Sequence, residues 1–460
     1  MRLIGLAAFA AMVLFAAPAM AAAPAFDPEA ATRAWLDTMG PEATARSNRY
    51  FEGGYIIAFV GPILSIAISM VMMMLGWAKS VRSGLEKTVK LYFLVALGMA
   101  LFYQFVSTVL TFPFSYYVGF VREHEFGLST QDFAHWFTEY LQASAIGLAI
   151  GAIAIALLYL IIRATKRTWW IWGTIFAGAF AAVAVMLAPV YIAPIFNEYQ
   201  PMREGALKVS ILQMAQANGV PVNDVLEFDI SRQTNRVTAN VSGFLDTTRV
   251  SLSDTLIERA SPGAVRSVMG HEIGHYVLRH VMSILLMLLV LIAITFALAN
   301  LIFERVSKGE RWGVRGVADP AGMPLLFAII SFLGIISMPI NNNIVRFHES
   351  QADIFGLNAS REPDGFAEAA LLLSEYRKME PSALEEWFFY DHPSGYARVR
   401  MAMQWKAHEM AAGRYPAGPG GPPAGWRPDF VVMSARPENA PSATVAPAEP
   451  APPASSPAAP

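Results

Sequence analysis

Six long apolar runs constrain this chain more than any other feature. They cover residues 55–78, 91–114, 141–162, 169–192, 281–303 and 323–344. Each is long enough to cross ~30 Å of hydrocarbon at about 1.5 Å per helical residue. Lipid offers no partner to a backbone N–H or C=O, so a run of this kind must satisfy itself as a helix. The expectation is a mainly α, multi-pass membrane protein. Composition agrees, with 55% hydrophobic and only 15% charged residues, against about 25% charged in soluble domains.

The rest of the chain divides around these runs. Residues 1–22 read as a signal peptide or a retained N-terminal anchor: Arg2, an apolar stretch from Leu3 to Phe15, then small residues. Residues 23–198 hold four spans. Residues 199–280 form a polar insert, with a helical pattern over 203–217 stopped by Asn218-Gly219. Three β-like pieces follow at 225–230, 237–242 and 249–252. A two-span hairpin takes up 281–345, and a helical segment 346–412. Residues 414–460 are rich in Pro, Ala and Gly and lack aliphatic clusters. They are expected to be disordered.

Loop charges set an orientation. Lys79, Arg82, Lys87 and Lys90 follow the first run; Arg163, Lys166 and Arg167 follow the third; Arg305, Lys308, Arg311 and Arg315 follow the fifth. The loop between the second and third runs has Arg122 beside several acids. By the positive-inside rule the basic loops are cytoplasmic, and the insert and C-terminal region lie on the opposite side. A net charge of −2 without a long basic stretch argues against nucleic acid as a partner. The chain has no cysteine, which removes disulfides, thiolate metal sites and cysteine nucleophiles. Any transition metal must be held by the eight histidines and the carboxylates.

The sharpest motif is His271-Glu272-Ile273-Gly274-His275. It lies late in a predicted helix that Ser261 can cap and Pro262 can begin. Histidines at i and i+4 share one helical face, so both imidazoles reach one ion. Neutral imidazole suits Zn²⁺, and Glu272 is placed to take a proton from water activated there. A catalytic zinc takes three protein ligands and keeps one position open. Glu349, in Arg346-Phe347-His348-Glu349-Ser350-Gln351-Ala352-Asp353, is the candidate third ligand. Two spans separate it from His275, and an even number of crossings returns the chain to the side it left. Asp353, one turn on, can support a ligating imidazole from behind. His280 reads as structural or interfacial, and His348 as no ligand. His392 and Arg398 are candidates to stabilise a tetrahedral oxyanion. The alternative class is a membrane scaffold or transporter with a degenerate metal site; the intact motif and the scarcity of intramembrane charge argue against it.

With these residues placed, the chain resembles the CAAX prenyl protease 1 family over roughly residues 30–410. The likeness runs through Phe112-Pro113-Phe114-Ser115-Tyr116, Glu123-His124-Glu125-Phe126-Gly127 and Ile192-Ala193-Pro194-Ile195-Phe196-Asn197. It continues through Gly243-Phe244, Arg249, the histidine motif, Arg346, Glu349, Ala352, Asp353, His392-Pro393 and Arg398. The resemblance implies a helical membrane barrel enclosing a chamber, with a small α+β zinc metalloprotease domain. It implies one Zn²⁺ per chain on His271, His275 and Glu349, with Glu272 as acid and base and with Asp353 and Arg346 supporting the ligands. Substrate would add as a strand along Val237, Thr238, Ala239 and Asn240. The implied partner is a peptide or protein, lipidated or membrane-embedded, met by a monomer in the bilayer. A signal-like N-terminus and the loop charges place the catalytic side outside the cytoplasm of a bacterial inner membrane. Eukaryotic members face the cytosol, where prenylation occurs, so the prenylated substrate and this orientation conflict. A membrane-protein quality-control protease is the alternative.

Overall fold

The computed structural model describes residues 26–242, 249–308, 312–416, 418 and 421–430. The expected signal or anchor segment, Gly243-Phe244 and the tail after residue 430 lie outside them. Helix α1 (Pro28–Leu36) begins where the Asp27 carboxylate accepts from the N–H groups of Glu29 and Ala30. The membrane part follows as α2 (Gly40–Met74), α3 (Trp77–Thr88), α4 (Tyr92–Tyr116), α5 (Phe133–Thr165) and α6 (Trp169–Leu187). Gly76, at φ 69°, turns the chain from α2 into α3.

The insert contributes β1 (Tyr199–Pro201), α7 (Ala206–Ala217), β2 (Val225–Phe228), β3 (Ala239–Ser242) and β4 (Arg249–Ser253). The sheet order is β1-β2-β4-β3, antiparallel except where β2 runs parallel to β4. Strand β3 is therefore an edge. Gly219, at φ 75°, ends α7 where the sequence pattern stops. Strand β1, three residues ending in proline, carries no alternation for a sequence reading to detect.

Next come α8 (Pro262–Val277), α9 (His280–Val306), α10 (Met323–Ser360), α11 (Pro363–Leu372), α12 (Ala383–Phe389) and α13 (Gly395–Ala411). The predicted cap holds: Ser261 Oγ accepts from Ala264 N–H at 3.2 Å. Val265, Met269 and Ile273, one turn apart on α8, are buried against Ile211, Val225 and Leu252 of the insert.

Five helical stretches among the described residues are long and apolar enough to cross a membrane. The third, Phe133–Phe196, holds two of the six runs. Lys166, at a positive φ of 45°, separates α5 from α6, which pack on each other as a hairpin. The remaining runs fall on α2, α4, α9 and α10. Leu286, Val290, Ile294 and Leu298 of α9 are exposed as a lipid-facing stripe. Inside, Ser65, Tyr103, Gln104, Ser107, Thr108 and Ser144 line a cavity of about 400 Å³. The fold is thus a multi-pass helical membrane part joined to a small α+β domain. The basic loops gather at one end: Arg82 and Arg315 both bond Asp319, and Arg163 sits 4.3 Å over the Tyr92 ring.

The C-terminal segment departs from expectation. Between residues 421 and 430 it is packed, not disordered. Trp426 meets Trp35 edge-on at 5.0 Å, Asp429 binds Arg259 at 2.6 Å, and Phe430 is 3% exposed. Two aromatics and one acid anchor a stretch whose Pro and Gly content hid them.

Helices α8 and α10 approach each other backbone to backbone. A Cβ on Gly356 would stand 2.8 Å from the His271 nitrogen, and one on Gly270 2.9 Å from the Gly356 oxygen. Only backbone fits there. Gly356→Ala should therefore cost about 1–3 kcal/mol, read as a lower apparent unfolding midpoint in detergent. Gly334→Ala, on the same helix with nothing within 4 Å, should not lower it. Equal midpoints for the two variants would show that the crossing is looser than described.

Candidate metal centre and cleft

His271 is buried on α8, and His275 lies one turn further on. Their Nε2 atoms are 3.0 Å apart. Glu349 of α10 faces both, with Oε2 at 3.2 Å from His271 Nε2 and Oε1 at 3.5 Å from His275 Nε2. One ligand atom from each residue falls within 4.8 Å of the others. The hairpin of α9 and α10 brings this carboxylate back to imidazoles it left 74 positions earlier.

Asp353, fully buried, accepts the His271 Nδ1–H at 2.8 Å and is also bound by the Arg398 guanidinium. In the neutral ring that bond leaves the His271 lone pair on Nε2, aimed at His275 and Glu349. Glu349 Oε2 is buried and makes no well-formed hydrogen bond. Imidazole lone pairs and carboxylate oxygens thus converge, and a divalent cation fits that donor set. The electrostatics agree. Burial alone would lower the His271 pKa, but the carboxylates of Asp353 and Glu349 outweigh it and push the imidazole up to about 9.

Glu272 is half-buried, and desolvation raises its carboxyl above the ordinary range. It lines a cleft of about 400 Å³ together with His271, His392, Arg398, Val237 and Thr238. Ala239 also borders the cleft; Asn240 sits further along β3, paired with Ser251. Arg236, another lining residue, binds Glu123 at 2.7 Å and so ties the insert to the membrane part.

His392 reaches the centre from the loop before α13. Its Nε2 is 3.3 Å from Glu349 Oε2 and its Nδ1 2.8 Å from Asp391 Oδ1. Arg398 differs from the oxyanion expectation. Its guanidinium is engaged by Asp353, so its contact with the centre runs through that carboxylate. Arg346 also differs. It touches none of the three candidate ligands among the described contacts; it binds the carbonyls of Glu386 and Tyr390, at the end of α12. That position depends on tertiary packing, which no local pattern encodes.

His348, in agreement with its reading, points away: Nδ1 meets the Ile344 carbonyl at 2.8 Å and Nε2 the Ser283 hydroxyl at 2.7 Å. His280, expected to be structural or interfacial, does not continue the helix of the motif. Arg279 instead takes a left-handed conformation (φ 55°) and swings His280 back, so that its Nδ1 lies 3.0 Å from His275 Nδ1. The one available signal was the histidine itself, at a helix end.

A His–His–Glu cluster beside an edge strand and a cleft, with its carboxylate on a helix long and apolar enough to span a membrane, defines a membrane metallopeptidase. Residues 201–406 match Peptidase family M48, and residues 29–198 match the CAAX prenyl protease N-terminal family of five membrane helices. The chain belongs to the CAAX prenyl protease family of M48 peptidases. The metalloprotease YhfN of Bacillus subtilis (strain 168), itself uncharacterised, is 25% identical over 79% of this chain and 86% of its own length. CAAX prenyl protease 1 of Saccharomyces cerevisiae is 26% identical over 63% of this chain and 68% of its own. The crystal structure of S. mikatae Ste24p shares the fold, with a TM-score of 0.66 and 21% identity over 82% of this chain and 95% of that one.

A ligating imidazole must be neutral, so uptake of a metal at His271 would have to expel its proton. Since that proton is held up to about pH 9, zinc affinity should rise roughly tenfold per pH unit from neutrality towards 9 and level off above it. Calorimetric zinc titrations of the stripped protein, in buffers of different ionisation enthalpy, should show a released proton at pH ~7. Binding without proton release at that pH would contradict the described charge state.

Proposed function

We propose that this chain is a zinc-dependent endopeptidase that cleaves peptides presented at the membrane surface. The convergence of His271, His275 and Glu349 carries this reading. Those three residues would hold the ion, one per chain. Zinc bound there supplies Lewis acidity towards the scissile carbonyl and lowers the pKa of a water in the open position.

The chain's own groups do the rest. Glu272 accepts the proton of the attacking water and returns it to the departing amine. Its raised pKa suits both halves of that exchange. His392, within reach of Glu349 and the cleft, donates to the oxyanion of the tetrahedral intermediate. Arg398 and Asp353 hold His271 in its ligating orientation, so they position rather than react.

Substrate binds as an extra strand on the free side of β3, through main-chain hydrogen bonds that read little sequence. Val237, Thr238 and Ala239 border the cleft, and Asn240 continues the strand. The substrate is the C-terminal part of a membrane-associated or lipidated peptide, as the names of the prenyl protease relatives would have it. The protein acts as a monomer in a bacterial inner membrane. The gathering of basic loops at the far end of the helices supports a catalytic side outside the cytoplasm.

Three variants test the chemistry. Glu272→Ala should keep its zinc and lose about 10²–10⁴-fold in kcat on a fluorogenic peptide. His271→Ala and Glu349→Ala should lose the metal, measured by atomic absorption of the purified protein. Full zinc occupancy in Glu349→Ala would remove that residue from the ligand set. Orientation has its own test: alkaline phosphatase fused after residue 430 should be active, and activity of a cytoplasmic reporter there instead would invert the topology.

A further inference from the structure

Every zinc-ligating histidine has a second ring nitrogen, and what that nitrogen meets decides which tautomer the ring adopts. On His271 it meets Asp353, an acceptor. On His275 it meets another imidazole. His275 Nδ1 and His280 Nδ1 lie 3.0 Å apart, so one must donate and the other accept. The outcome rests on the far side of the His280 ring, where Nε2 stands 3.2 Å from Gln351 Oε1. A carbonyl oxygen only accepts. His280 therefore carries its proton on Nε2 and offers a lone pair at Nδ1. His275 must then donate from Nδ1, which leaves its Nε2 lone pair facing His271 and Glu349.

We propose that His280 and Gln351 form a relay that sets the tautomer of His275 and thereby its competence as a metal ligand. The inference rests on the metal reading above and adds two positioning residues to it. Were the Gln351 amide to present its NH₂ group instead, each bond would reverse and a proton would sit on His275 Nε2, closing that position to a cation. The neighbouring groups give His280 no other choice. It is 2% exposed, and the His348 ring stands nearly perpendicular to it at 4.9 Å. Both nitrogens of His348 are already engaged, by Ile344 and Ser283. The left-handed Arg279 (φ 55°) is what turns His280 back onto His275.

The two ligands are thus supported unequally. His271 is held by a buried carboxylate that Arg398 pins in place. His275 depends on a neutral ring and on an amide whose residue is exposed on α10. Because Gln351 is exposed, it can be changed without opening the core.

The test uses full-length, zinc-loaded protein in detergent, challenged with graded chelator at ~1 M salt so that exposed charges are screened. Gln351→Glu keeps an acceptor and should hold zinc as the parent does. Gln351→Lys, a donor only, should release it at a chelator concentration about 10–100-fold lower. Gln351→Met, neutral and unable to direct His280, should shift release in the same direction by less. Zinc-stripped forms of all three should unfold at the parent's midpoint, because the tautomer matters only when a metal must be bound. Lys and Met variants that release zinc together with the parent would overturn the relay. So would a lowered midpoint in their stripped forms, which would mark Gln351 as merely structural. A parent that binds no zinc at all would instead remove the metal reading itself.

Discussion

Everything in the catalytic domain depends on two helices that meet through bare backbone. Gly270 on α8 and Gly356 on α10 set backbone against backbone, and Gly274 makes room for the Phe355 ring. Only at that separation can Asp353 reach His271 Nδ1 while Glu349 reaches both Nε2 atoms. Gly270 and Gly274 immediately precede the two histidines, and Gly356 lies about one turn beyond Asp353. They carry no chemistry of their own, yet the chemistry has no geometry without them.

From that contact, polar order spreads in two directions. Towards α13, Asp353 and Arg398 form a buried ion pair whose desolvation would be costly if either partner were alone. The His271 imidazole completes it. Towards the membrane, His275, His280 and Gln351 continue the chain of hydrogen bonds to the surface. The cleft opens on the Arg398 side of the site, beside a sheet edge. Its position therefore follows from packing between elements, and the domain and the membrane hairpin cannot be assigned separate roles in building it.

Much of this was legible in the sequence because lipid and metal each tolerate few solutions. An apolar run of such length admits only a helix, so the spans were readable, and the even number of crossings between His275 and Glu349 anticipated their meeting. Ser261 and Pro262 announced the start of α8. What escaped depends on tertiary geometry. A left-handed residue at Arg279 relocated His280, and nothing local marks Arg279 as left-handed. Arg346 found carbonyls of a helix forty residues away. Trp426 and Phe430 turned a Pro- and Gly-rich stretch into a packed strap across Trp35 and its neighbours.

Helix α10 has one more consequence. It is a single rod of 38 residues, entering the bilayer near Met323 and still helical at Ser360. Measured along it, Glu349 stands roughly 40 Å from Met323 at ~1.5 Å per residue, or about 10 Å past a hydrocarbon slab of ~30 Å. An extended peptide covers that height in about three residues. For the membrane-tethered substrate proposed above, cleavage would then need no departure from the anchor, and the distance from anchor to cut would be dictated by the length of a helix.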